Sequence, residues 1–192
     1  MNETPVITAF LDANVLYPAL LRDILLRLAS RGAFHARWST QVQNEWISAL
    51  AGNRPDIPHV RIERTRHLMD TRFQGALVEG YEHHIESLAL PDADDRHVLA
   101  AAIHSGARII VTTNLRDFPA SALAPFSIEA CHPDAFILGL LENGESDVVP
   151  ALRVLRASFK NPPLTAAALL AEMSRQGLSA SADALAAFAS SL

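Results

Sequence analysis

The stretch Asp94–Pro119, DDRHVLAAAIHSGARIIVTTNLRDFP, decides the fold class. Asp94 or Asp95 opens a helix whose apolar, alanine-rich stretch is Val98–Ala102, and Gly106 ends it. Arg108–Thr113 (RIIVTT) follows as a β-branched run, which suits a buried strand. Asn114–Phe118 then reads as a turn. Near the start of the chain, Val6–Leu11 (VITAFL) is a second short apolar run, bounded by Asp12. Two such strands separated by helical patterns predict an α/β sandwich, three layers around a mostly parallel sheet.

Working outward, Leu20, Leu21, Ile24, Leu25 and Leu28 recur at helical spacing before Gly32. His35–Trp38 reads as a short strand, and Ser39 or Thr40 as the cap of a helix through Leu50. Val60–Phe73 is helical with a charged face, Gly80–Asp92 is irregular, and Phe126–Ala130 is a final strand candidate. From Pro133 onward strand patterns vanish. Helices are expected at Ala135–Asn143, Ser146–Ser158, Thr165–Gln176 and Ser181–Ser190. The expected organisation is one domain over residues 5–131 and a helical extension over 132–192.

Composition narrows the function. Cys131 is the only cysteine, so an internal disulfide and a cysteine-based zinc site are excluded. Lys160 is the only lysine, and no GxxxxGK[ST] occurs, so a P-loop is excluded. Receiver domains and aspartate-nucleophile phosphatases use a lysine late in the α/β unit, which is lacking here. Met1–Pro5 has no basic start, and no run reaches the ~20 apolar residues of a membrane span. A cytoplasmic protein is expected. The net charge of −5 disfavours bulk attraction to nucleic acid but not a local basic groove, and it suits a basic protein partner.

Four acids carry the chemistry: Asp12 after the first strand, Glu45 in TQVQNEWISAL, Asp95 in the first turn of its helix, and Asp117 in NLRDF. Each alone has a structural explanation. Asp12 or Asn14 can cap a helix, Asp94 and Asp95 suit a helix N-terminus, Glu45 can be solvated, and Asp117 can serve a turn. Together they can converge outside the carboxyl ends of parallel strands, where open α/β sheets place their sites. Carboxylates gathered so closely repel unless a cation joins them. That combination points to metal-dependent phosphodiester cleavage. His83-His84 has no further His or Cys at ligand spacing and reads as surface loop; Trp38 and Trp46 read as packing residues before base-stacking ones.

The segments FLDANVLYP, TQVQNEW, DADDRHVLAAAIHSGA and IIVTTNLRDFP resemble the four signature segments of the PIN domain family. The nearest subgroup is similar to VapC-type ribonuclease toxins of toxin–antitoxin pairs, and the helical tail resembles the extension of one VapC-like subfamily. The resemblance implies that Asp12, Glu45, Asp95 and Asp117 are metal ligands for Mg²⁺ or Mn²⁺. It assigns Asn14, Thr113 and Asn114 as polar supports, with either Asp117 or Asn114 completing the metal site. RNA is the implied substrate, and Arg96 and Arg116, which flank the proposed ligands, are the first candidates for phosphate contacts. A DNA-binding antitoxin and a homodimer are the implied partners. The alternatives are a PIN nuclease in RNA processing and a non-catalytic PIN-like binding protein.

Overall fold

A computed structural model describes residues 6–192; Met1–Pro5, which includes the first residue of the expected nuclease domain, lies outside the described residues. Residues as far as Pro18, with His35–Cys131, form one compact unit. Ala19–Phe34 and His132–Leu192 form the other.

The first unit is built on parallel strands β1 (Thr8–Leu11), β2 (His35–Ser39), β3 (Leu77–Val78), β4 (Ile109–Val111) and β5 (Glu129–Cys131). Their order is β3-β2-β1-β4-β5, all parallel. β1 is central, and Ala9, Phe10 and Leu11 are wholly buried, as strands covered on both faces must be. From β1 the chain steps outward to β2 and β3, then returns across β1 to β4 and β5. The direction of winding therefore switches between β1 and β4, the crevice where such sheets place ligands.

The single-turn helix α1 (Ala13–Leu16) and the longer α3 (Thr40–Asn53) follow β1 and β2, and α4 (His59–Arg72), α5 (Glu82–Ile85), α6 (Arg96–His104) and α7 (Ala120–Leu123) complete this unit. Ser39 caps α3 by accepting from Val42 N at 3.2 Å. Val98–Ala102 of α6 is fully buried, and Gly106 takes φ +66° to turn the chain into β4. Trp38 and Trp46 are fully buried, with Trp38 edge-on to Phe73 at 5.7 Å. Neither is placed to stack on a base.

In the second unit, α2 (Ala19–Ser30) packs on α8 (Pro133–Ser158), and α9 (Ala166–Arg175) and α10 (Ser179–Leu185) pack together. Leu21, Ile24, Leu25 and Leu28 are the buried stripe of α2. Phe34 meets Phe136 edge-to-face at 4.9 Å. Asp134 accepts from the amides of Ala180 and Ser181 and so holds the start of α10. α8 is interrupted at Gly144, the break expected between the helices at Ala135–Asn143 and Ser146–Ser158. The tail arginines serve the fold: Arg153 donates to the Ser191 carbonyl, and Arg156 to those of Leu164 and Leu192.

Candidate active site

The register builds the site. Leu11 pairs with Val111, so the next residues on the two strands, Asp12 and Thr112, leave the sheet side by side. The Thr112 hydroxyl donates to Asp12 Oδ2 at 2.7 Å, and the Ala13 amide donates to Oδ1 at 2.7 Å. Asn14 Nδ2 adds a 2.5 Å bond to Oδ2 and also donates to Thr112 Oγ1 at 2.9 Å. The Thr113 amide donates to Asn14 Oδ1, and the Asn114 amide to Thr112 Oγ1, both at 3.0 Å. Asp12 is thus held in one orientation at 5% exposure. Three donors reach its two oxygens, which leaves lone-pair capacity toward the crevice.

This corrects one expectation. The threonine side chain that supports the site is Thr112, not Thr113. Thr113 is exposed and contributes only its backbone amide. Asn14 and Asn114 do take part, Asn114 by donating its amide to Asp117 Oδ2.

Asp95, Asp117 and Asp92 offer carboxylate oxygens that all lie within 4.8 Å of one another. Asp95 stands before α6 without capping it, and Asp117 ends a single 3₁₀ turn at Leu115–Asp117 after β4. Asp92 was not foreseen; it lies in the irregular segment before α6 and accepts from the Asp94 amide at 2.9 Å. Asp94 itself is exposed. Desolvation first, then the charges of Asp12, Asp117 and Asp92, push the Asp95 carboxyl up to about 6. Burial likewise raises Asp12, against the lowering bonds from Thr112 and Ala13, and Glu45 adds to the rise.

Glu45 joins through a partner that the sequence did not single out. His97, 5% exposed, donates from Nε2 to Glu45 Oε1 at 2.9 Å. Its Nδ1 is buried without a partner. Among the described residues Glu45 Oε2 has no hydrogen-bond partner, and the charge of Glu45 reaches Asp12. Among the described residues, neither Arg96 nor Arg116 forms an ion pair, and Arg96 Nε is buried and unpartnered.

The donor set is all carboxylate oxygen, and desolvation followed by the neighbouring charges raises a half-buried aspartate. Hard divalent cations such as Mg²⁺ and Mn²⁺ take such ligands, so the residues present fit that group.

A parallel sheet of this order, with an acidic cluster at its switch point that could hold a cation, defines an α/β fold. The profile of the PIN domain family matches residues 8–116, and the chain belongs to that family. Residues 133–187 match the family described as the VapC50 C-terminal domain. Over 82 residues the chain is 43% identical to "Putative ribonuclease VapC50" of Mycobacterium tuberculosis (strain ATCC 25618 / H37Rv), a match covering 43% of this chain and 48% of that protein. The alignment thus spans about half the length of that relative. No solved structure gives a significant match. Among the described residues, no helix is long and apolar enough to cross a membrane.

Proposed function

We propose that this protein is a divalent-cation-dependent endoribonuclease and the toxin of a toxin–antitoxin pair. The observation that carries the proposal is the gathering of Asp92, Asp95 and Asp117, whose carboxylate oxygens lie within 4.8 Å of one another, with Asp12 close enough for its charge to raise the Asp95 carboxyl. Structural carboxylates are normally paired or solvated; four facing one crevice make a site for added positive charge.

In this proposal Asp12, Asp95 and Asp117 hold Mg²⁺ or Mn²⁺, with Glu45 and the newly found Asp92 beside them. When bound, such a cation supplies charge compensation and Lewis acidity at phosphate and water. The chain does the rest. Thr112, Asn14 and the Ala13 amide fix Asp12 in orientation. His97 fixes Glu45, whose free Oε2 faces the attacking water and receives its proton. Arg96 and Arg116 bind the flanking phosphates. Water adds to phosphorus as the bond to the 3′ oxygen breaks, and that oxygen takes up a proton. The products are a 5′-phosphate and a 3′-hydroxyl.

The resemblance to VapC-type toxins extends the proposal to a small DNA-binding antitoxin and to a homodimer acting in the cytoplasm. Purified protein incubated with mixed RNA in Mg²⁺, Mn²⁺ or EDTA, beside Asp95→Asn, tests the chemistry. Cleavage that needs metal and is lost in the variant supports it. Cleavage retained by Asp95→Asn overturns the site, and no cleavage in any metal points to a non-catalytic binding protein. Growth arrest on expression, relieved by a neighbouring gene product, tests the toxin role.

A further inference from the structure

Three histidines gather away from the acidic site. His83 and His84 lie on α5, and His104 ends α6. The pair at 83–84 reads as surface loop because no third ligand stands near it in sequence; folding supplies one from twenty residues further on. One ligand nitrogen from each imidazole lies within 4.8 Å of the others. Ring centroids are 3.9 Å apart for His83–His84, 5.7 Å for His83–His104 and 5.9 Å for His84–His104.

The bland explanation is a surface stack of aromatic rings. Two observations weigh against it. A surface histidine commonly donates to a carbonyl or carboxylate, yet among the described residues no hydrogen bond or ion pair engages any of these imidazoles. In addition, His104 lies in the last turn of α6, where the helix dipole and the unpaired carbonyls favour positive charge. Three protonated rings would repel one another there, and desolvation followed by His83 and His104 lowers the His84 pKa. The lowered His84 pKa favours its neutral form, whose free lone pair is a metal ligand.

We propose that His83, His84 and His104 form a second cation site, suited to a borderline divalent ion such as Zn²⁺ and separate from the acidic cluster. Three imidazoles with an open fourth position suit tetrahedral zinc. Borderline nitrogen donors here and hard oxygen donors at Asp95 sort the two kinds of ion between the two sites. The sites occupy opposite ends of α6: Asp95 precedes its first turn and His104 closes its last, roughly 13 Å apart at 1.5 Å per residue. Zinc at the histidines ties α5, a four-residue helix with no buried side chain, to the end of α6.

Calorimetric titration of Zn²⁺ into the full chain without an affinity tag, in excess Mg²⁺, tests the site. Wild type and Asp95→Asn are expected to bind one equivalent alike. His104→Ala and His83→Asn are expected to bind at least about a hundredfold more weakly, since loss of a mere supporting partner already costs 10–100-fold. Circular dichroism checks that the variants fold; His83 is exposed on a short helix, so its variant stays informative if the His104 variant does not fold. No zinc binding in wild type overturns the proposal. So does binding that survives in the folded histidine variants, or that is lost in Asp95→Asn alone.

Discussion

Replacing Asp95 by Asn should stabilise the metal-free protein while disabling it. Raising a carboxyl from 3.8 to about 6 corresponds to roughly 3 kcal/mol between its protonation states. Asp95 is only partly buried, so solvent screening reduces this to about 1–2 kcal/mol at neutral pH. For a chain of this size that is a rise of about 3–6 °C in Tm. The pH dependence gives the sharper check. The folded state binds the Asp95 proton more tightly than the unfolded state does. Its contribution to stability is therefore intact below about pH 4 and lost as pH rises through about 6. The advantage of Asp95→Asn should be small near pH 4.5 and complete near pH 7.5, measured by thermal unfolding in EDTA. Added Mg²⁺ should then raise the wild-type Tm more than that of the variant. A variant no more stable than wild type at pH 7.5, or an advantage that does not shrink at pH 4.5, refutes the account of Asp95 as a carboxylate held among like charges.

Three further outcomes follow from the geometry. Thr112→Val removes a fully buried hydroxyl that donates to Asp12 and accepts from Asn14 and Asn114. It should cost about 1–3 kcal/mol in urea unfolding, whereas Thr113→Val should change stability by less than ~0.5 kcal/mol. His97→Gln should lower RNA cleavage about 10–100-fold at saturating metal while the fold persists; undiminished cleavage would show that the histidine does not position Glu45. Asp134→Ala removes the acceptor for the Ala180 and Ser181 amides and should cost about 1–2 kcal/mol, read from the denaturation midpoint.

The sheet was legible where its strands are continuous apolar runs. VITAFL and RIIVTT contain β1 and β4, and the glycine stop at Gly106 marks the helix between them. β3 was invisible because two residues, Leu77 and Val78, show no periodicity. α5 was invisible because EHHI carries no apolar stripe. The proximity of Asp12, Asp95 and Asp117 could be read, because the first and last follow strands that end at the crevice and Asp95 opens a helix. Thr112 was confused with Thr113 because neighbouring residues leaving a strand face opposite ways, so a one-residue error swaps a buried side chain for an exposed one. Asp92 sits in a segment without pattern. His97 and His104 acquire their partners only through folding, from α3 and α5, and spacing along the chain does not reveal that.

The division of the chain into two units also bears on how it is made. α2 leaves the ribosome early, yet α8, on which its stripe of Leu21, Ile24, Leu25 and Leu28 packs, ends only at Ser158. At translation speeds of 5–20 residues per second, that stripe waits on the order of 10 s for its partner. The sheet strands flanking α2 are synthesised and can pair in the meantime. The nascent protein therefore carries an uncovered leucine face between its first two strands. A single cut after Cys131 would make that face permanent, so the C-terminal helices cannot be removed as a separate module without leaving behind an adhesive surface.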